Sequence, residues 1–148
     1  MTVITAAFEG QLHGMTANAV TSLSLEPPMV LICVARTAHT HGLLERSRAF
    51  AVNILGEHQE AVSRLFAQVA APEPGRLQGM GFTIGRTGSP VLEDCVAYIE
   101  CHVTEVVEGG DHSIFLGEVV AEGVMADAPP LIFYRGQYRS LGEEQHPP

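Results

Sequence analysis

The segment GMTANAVTSLSLEPPMV, residues 14–30, alternates in an unusual way. Thr16, Asn18, Ser22 and Ser24 share one parity, and small or apolar side chains fill the other. Because successive side chains of a β-strand point to opposite faces, this spacing predicts one small, uncharged face rich in hydrogen-bonding groups. Such a face suits a long, flat ligand that approaches the backbone closely. The alternative is a solvated edge strand.

A second candidate site follows a predicted buried strand and precedes a predicted helix, at Arg36-Thr37-Ala38-His39-Thr40. Helix N-termini carry unpaired N–H groups and a partial positive charge, so they attract phosphate. Arg36 adds a fixed charge, and Thr37 or Thr40 adds a hydroxyl. The alternative is plain N-capping of the helix by Thr37.

Two further constellations lie late in the chain. His112 follows Gly110 and Asp111 at a predicted hairpin tip, where it can contact a substrate, take part in proton transfer or belong to the turn. The segment from Tyr134 to Arg139 places two arginines beside two tyrosines. Such a pair can stack on a ring or attract an anionic dinucleotide, or it can form a surface hairpin with ion pairs.

The elements that must position these residues are mostly strands. Apolar or alternating stretches predict strands at residues 1–8, 14–25, 29–35, 49–55, 96–108 and 112–125, and two short strands around Gly136. The continuously apolar run at 29–35 predicts a strand buried on both faces. Helical spacing is found near Leu43 and over residues 57–68, and residues 69–90 form a Pro- and Gly-rich excursion. We therefore expect a mainly β fold, an antiparallel barrel or sandwich with two or three peripheral helices.

Composition excludes several classes of function. The chain has 148 residues, a net charge of −9 and no lysine, which argues against nucleic-acid binding, Walker-type phosphate loops and Schiff-base catalysis. Neither a membrane-spanning run nor a signal peptide is visible, so a cytoplasmic protein is expected. Three cysteines without a CxxC pair predict reduced, buried thiols, and no metal site is predicted.

Five segments then carry a resemblance along nearly the whole chain. GMTANAVTSLSLEPPMVLICV, FAVNIL, LFA, GDHSIFLGEVV and PLIFYRGQYRSL occur in this order and at the expected distances. The chain closely resembles the flavin reductase family with the FMN-binding split-barrel fold, in particular the small reductase component of two-component flavin monooxygenases. The resemblance implies one domain over residues 1–142, followed by a disordered tail at 143–148.

The resemblance also implies cofactors, partners and site residues. It implies a homodimer that binds FMN or FAD, takes electrons from NADH or NADPH and supplies reduced flavin to a partner oxygenase. Thr16, Ala17 and Asn18 would line the isoalloxazine ring, with Ser22 and Ser24 toward the ribityl chain and phosphate. The segment that contains Arg36, Thr37, Ala38 and Thr40 would close on the phosphate. Phe66 would contact the flavin, and His112 would face the nicotinamide with Tyr138 or Arg139 nearby.

Two other functions remain open at this point. On the same fold, the protein could keep its FMN and pass electrons to a protein partner. From another class, it could be a flavin- or ligand-binding barrel without activity.

Overall fold

Eleven β-strands and two short α-helices form the parts of the chain that the computed structural model describes, residues 1–68, 77 and 79–141. The strands are β1 Thr2–Phe8, β2 Gln11–Ala17, β3 Val20–Leu25, β4 Pro28–Ala35, β5 Ala49–Ile54, β6 Phe82–Ile84, β7 Pro90–Leu92, β8 Ala97–Gly109, β9 His112–Val124, β10 Ile132–Tyr134 and β11 Gln137–Arg139. The α-helices are α1 His39–Ser47 and α2 Glu60–Phe66, the latter preceded by a 3₁₀ turn at Glu57–Gln59. The predicted mainly β class is confirmed.

Seven strands form one antiparallel sheet in the order β2-β1-β5-β8-β9-β4-β3. Its two edge strands, β2 and β3, follow each other in the chain and are separated by only Asn18 and Ala19. Two residues span well under 10 Å, so the end of one edge strand must lie close to the start of the other. The sheet is therefore rolled on itself, and the backbone N–H of Cys33 donates to the Ala19 carbonyl at this corner (3.0 Å).

Two tight turns fit their sequences. Glu9 and Gly10 join β1 to β2, and Arg135 and Gly136 join β10 to β11. All four residues have positive φ, the conformation that two-residue hairpin loops of type I′ require and that glycine adopts at little cost.

The core divides into two clusters. The first fills the rolled sheet and includes Ile4, Ile32, Phe50 and Phe115, all fully buried. The second packs α2 and the C-terminal segments against the other side of β1; it contains Val3, Leu55, Phe66, Leu77, Leu92, Cys95 and Leu131.

Two sequence predictions need correction. The segment 14–25 is not one strand but two, because the chain turns the barrel corner at Asn18 and Ala19, and a register shift follows between Ser22 and Ser24. The predicted single polar face is thereby divided. Strand β4 is also not buried on both faces, since its burial alternates with a period of two.

The remaining predictions have mixed outcomes. The predicted long hairpin is confirmed as β8 and β9, and both short final strands are present. Of the three cysteines, all free, Cys95 and Cys101 are buried while Cys33 is half-buried. The excursion at 69–90 lies partly, and the predicted tail entirely, outside the described residues. None of the described helices has the length and apolar character needed to cross a membrane.

Candidate functional site

A pocket of about 220 Å³ lies where β2, the turn before α1 and the end of α2 meet. Each of these elements contributes a short stretch of its sequence. The lining residues are His13, Met15, Thr16, Thr37, Ala38, His39, Thr40, Phe66, Ala67 and Gln68. Five residues predicted for flavin binding are thus brought together: Thr16, Thr37, Ala38, Thr40 and Phe66.

The N-terminus of α1 opens on this pocket without a cap. Ala38 occupies the N-cap position in an extended conformation, no side chain in the described residues caps the helix, and its first turn contains no acidic residue. Capping by Thr37, the alternative to a phosphate site, is therefore wrong. Unpaired N–H groups and the positive end of the helix dipole remain directed at the pocket.

Hydrogen bonds fix the first turn of α1 on both sides. The Thr40 hydroxyl is 2.8 Å from Nδ1 of His13 on β2, and Nε2 of His41 is 2.8 Å from the hydroxyl of Ser113 on β9. Thr40, His41 and Ser113 are all buried. The helix terminus is thus held between one edge strand and the strand that carries His112.

The wall of the pocket depends on a glycine. Gly14 of β2 faces the ring of Phe66, and a Cβ at Gly14 would lie 2.9 Å from the nearest ring carbon. The absence of a side chain lets α2 approach β2 closely. Beside this contact, the Thr16 hydroxyl donates to the backbone carbonyl of Ser63 in α2 (2.6 Å).

His112 lies at the same end of the sheet as the turn before α1. It pairs in register with Ala35, the last residue of β4, and the Arg36 N–H donates to the Asp111 carbonyl (2.9 Å). Nδ1 of His112 is 2.8 Å from the Asp111 carboxylate, and this hydrogen bond, helped by charge attraction, lowers the pKa of Asp111. His112 itself is half-exposed, in reach of a ligand from solvent.

Other predicted residues lie outside the pocket lining. Ala17 is buried, Asn18 and Ser22 are exposed, and the half-buried Ser24 accepts a hydrogen bond from the Glu26 N–H through its hydroxyl (3.3 Å). The four lie at the barrel corner and along β3.

The three predicted basic or aromatic residues are also separate from the pocket. Arg36 is exposed and 3.9 Å from the Glu108 carboxylate. Tyr138 binds α2 through its hydroxyl, while the Arg139 guanidinium donates to the Gln137 side chain.

Sequence reasoning missed four residues of the pocket. These are His13 and Met15 of β2, and Ala67 and Gln68, which follow α2. His39, at the start of α1, lay within the predicted segment 36–40 but was given no individual role. No strand pattern indicated His13, because three residues separate it from Thr16 and strand alternation places such side chains on opposite faces. The contact of its ring with that of His39, with centroids 4.9 Å apart, joins segments that no local pattern connects.

The lining fits an anionic, partly aromatic ligand. Although the chain carries a net charge of −9, none of the described lining residues is acidic. Hydroxyls, imidazoles and backbone N–H groups face one part of the pocket, and Phe66 and Met15 provide an apolar part. A flavin has a phosphate that suits the polar part of the pocket and a flat ring that suits the apolar part.

Comparison with known proteins identifies the family of the chain. The model of the "flavin reductase like domain" family matches residues 1–142. The chain is 34% identical over 148 residues to the reductase subunit of a flavin-dependent monooxygenase from Rhodococcus jostii, covering 100% of this chain and 74% of that protein. It is 39% identical over 147 residues to an NADH-dependent FAD reductase from Streptomyces globisporus, covering 97% of this chain and 80% of that protein.

The solved structures agree as well. The NADH:FAD oxidoreductase of Streptomyces globisporus superimposes with a TM-score of 0.89 at 38% identity, covering 95% of this chain and 84% of that chain. The fold is thus that of a split-barrel flavoprotein. The chain belongs to the flavin reductase like domain family. The family, the fold, the oxidoreductase activity and the flavin and nicotinamide cofactors predicted from the sequence are confirmed.

Proposed function

We propose that this protein is an NAD(P)H-dependent flavin reductase that transfers a hydride from a nicotinamide to FMN or FAD. The observation that carries the proposal is the uncapped N-terminus of α1, which opens on a pocket lined by Thr16, Thr40 and Phe66 without a carboxylate. Relatives named NADH-dependent flavin reductases support NADH as the donor.

The phosphate end of the flavin is proposed to bind at the turn before α1. The first N–H groups of the helix and the hydroxyls of Thr37 and Thr40 donate to the phosphate oxygens, with Ala38 contributing backbone only. Arg36, exposed beside Glu108, supplies a fixed positive charge on the approach. No carboxylate from the described lining opposes the anion.

The ring end is proposed to lie along β2 and α2. The backbone of Thr16, Ala17 and Asn18 faces the isoalloxazine ring at the barrel corner, and Phe66 closes on it from α2. Ser22 and Ser24 continue beyond the corner on β3 and offer hydroxyls to the ribityl chain and phosphate.

The protein contributes alignment more than acid–base chemistry. When bound, the flavin would supply the hydride acceptor and the nicotinamide would supply the hydride. Stacking the two rings at reaction distance is worth many orders of magnitude in effective concentration, so the roles of the residues are to bind and orient. His112 is proposed to face the nicotinamide, with Tyr138 or Arg139 nearby, and Asp111 holds its ring by the 2.8 Å hydrogen bond.

A second copy of the chain is proposed to complete the site. Apolar side chains cover the outer face of three adjacent strands. Half-buried are Met29, Leu31 and Cys33 of β4 and Ile114 and Leu116 of β9, and the exposed Val107 of β8 pairs in register with Ile114. An apolar patch of this kind marks an interface. The pocket of one chain, about 220 Å³, is also smaller than the roughly 300–1,000 Å³ usual for small-molecule sites.

The homodimer has a direct test. Leu31→Glu places a charge in the centre of this outer face, and light scattering after gel filtration should then report a monomer. Ile84→Glu, at an exposed residue of β6, is the matched control and should leave the dimer intact. A wild-type monomer at micromolar concentration would exclude the dimer.

The reduced flavin is proposed to leave and serve a separate oxygenase. Relatives named as the reductase component of a 4-nitrophenol monooxygenase and as the flavin reductase component of a two-component tryptophan halogenase support this. A site of neutral donors with one exposed arginine suits exchange of the flavin. The three free thiols are in keeping with a reducing compartment, and we propose the cytoplasm.

The experiment that tests the function follows NADH or NADPH absorbance with excess FAD or FMN. Turnover with free flavin supports a reductase that releases its product, and the faster flavin identifies the physiological one. Yellow colour retained through dialysis, without turnover of free flavin, would indicate an electron-transfer flavoprotein. Flavin binding without nicotinamide oxidation or any retained electron transfer would indicate a non-catalytic barrel.

A further inference from the structure

Ser63 is a junction between three elements of the structure. Its side chain is fully buried in the middle of α2. The Tyr138 hydroxyl of β11 donates to the Ser63 hydroxyl (2.9 Å), and the Thr16 hydroxyl of β2 donates to the Ser63 carbonyl (2.6 Å). The C-terminal hairpin, the helix and the pocket strand therefore meet at one residue.

The position of α2 depends on such contacts. The helix has seven residues, from Glu60 to Phe66, whereas isolated helices shorter than about 12–15 residues are marginal in water. Its last residue, Phe66, forms part of the pocket wall, together with Ala67 just beyond it. A small rotation of α2 would therefore move the ring of Phe66 relative to β2.

Tyr138 contacts α2 through both its ring and its hydroxyl group. Its ring packs on the apolar cluster that contains Phe66, the Arg64 guanidinium lies over it at 4.7 Å from the centroid, and Phe133 meets it edge-on at 5.0 Å. The hydroxyl adds a directional hydrogen bond to the buried Ser63 hydroxyl. The ring gives attraction, and the hydroxyl fixes where along the helix the hairpin docks.

We propose that Tyr138 is a positioning residue for the flavin site, which it holds in shape by anchoring α2 through the Ser63 hydroxyl. The inference rests on the proposed flavin site and extends it to a residue outside the pocket lining. Loss of the anchor lets Phe66 leave its place against Gly14, which weakens flavin binding. For Tyr138 this role replaces the place near the nicotinamide considered above, which then falls to Arg139. A direct contact of Tyr138 with the nicotinamide would act on the KM for NADH.

The test compares Tyr138→Phe, Ser63→Ala and the double variant in wild-type protein already shown to turn over free flavin. Tyr138→Phe keeps the ring and its contact with Arg64 and removes only the hydroxyl. Tyr134→Phe, in the same hairpin and exposed, is the matched control. Steady-state kinetics give the KM for flavin and for NADH and the kcat, quenching of flavin fluorescence gives the Kd without turnover, and thermal unfolding verifies folding.

One neutral hydrogen bond corresponds to roughly a two- to tenfold effect. We therefore expect each single variant to raise the flavin KM and Kd about two- to tenfold, with kcat and the KM for NADH within twofold. The flavin Kd of the double variant should be no higher than that of the single variant with the higher Kd, because both substitutions remove the same hydrogen bond. A rise in the KM for NADH alone, additive effects, or an unchanged flavin Kd in folded Tyr138→Phe would each overturn the proposal. A wild-type protein that binds flavin without turnover would instead contradict the proposed function.

Discussion

The carboxylate of Glu100 gives the sharpest stability prediction. Glu100 lies on β8 with 2% of its surface exposed, and it accepts three hydrogen bonds from one turn. The donors are the backbone N–H groups of Arg86 (3.0 Å) and Thr87 (2.9 Å) and the Thr87 hydroxyl (2.8 Å). Gly85 is required beside it, because a Cβ there would overlap the carboxylate.

Glu100→Gln changes the chemistry and keeps the shape. The amide can accept through one oxygen only, so its NH₂ group must face a backbone donor and leave it unpaired, at a cost of about 1–3 kcal/mol. The remaining bonds lose their charge assistance, and relief of carboxylate desolvation offsets part of the total. We expect a net loss of about 2 kcal/mol.

The assay is thermal unfolding at fixed protein concentration. With an unfolding entropy of about 2.1 cal/mol/K per residue, a chain of 148 residues loses stability at roughly 0.3 kcal/mol per degree near its midpoint. A loss of about 2 kcal/mol therefore lowers the Tm by about 7 °C. Glu122→Gln, at an exposed glutamate of β9, should change the Tm by less than 2 °C, within the roughly 0.5 kcal/mol usual for surface changes. A Glu100→Gln shift as small as this control would refute the assignment of stability to the three bonds.

Four further predictions concern the site and the core. His112→Ala should raise the KM for the nicotinamide more than it lowers kcat; an unchanged KM with a collapsed kcat would contradict a binding role. Gly14→Ala places a methyl group 2.9 Å from the aromatic ring of α2, so the flavin Kd measured by titration should rise at least several-fold. An unchanged Kd would show that α2 can move away from β2 without loss of flavin binding. Burial raises the pKa of Cys95 to about 11 and of Cys101 to about 12, so a thiol reagent at pH 8 should modify only Cys33 in native protein. For the same reason stability should fall above about pH 9, since the unfolded chain releases thiol protons that the folded chain retains.

The sequence predicts the presence of strands better than the positions at which a strand is interrupted. The long hairpin of β8 and β9 is visible because alternating residues flank a Gly-rich turn. The corner at Asn18 and Ala19 is invisible, because the polar and apolar alternation continues through it while the strand changes partners from β1 to β4. The alternating burial of β4 was missed because apolar residues on its outer face are indistinguishable from core residues in the sequence alone.

The sequence predicts the pocket residues that lie within one local segment, but not those that come together only in the folded chain. Thr37 and Thr40 belong to one strand-to-helix turn, which the order of residue types indicates. His13, His41 and Ser113 meet through the rolled sheet, and their hydrogen bonds join positions far apart in the chain. The resemblance to known reductases supplied Phe66, which stands alone as an aromatic residue at the end of a short helix.

The order of strands in the sheet has a consequence for how the protein folds. The pairs β1–β2, β3–β4 and β8–β9 join neighbours in the chain, whereas β4–β9 joins residue 29 to residue 118 and residue 35 to residue 112. Contacts between distant residues cost the most chain entropy and form slowly. The end of the β4–β9 pairing, where Ala35 lies opposite His112, brings the turn before α1 next to His112. During refolding, flavin reduction should therefore return with the slowest phase, after most of the β-structure signal has recovered.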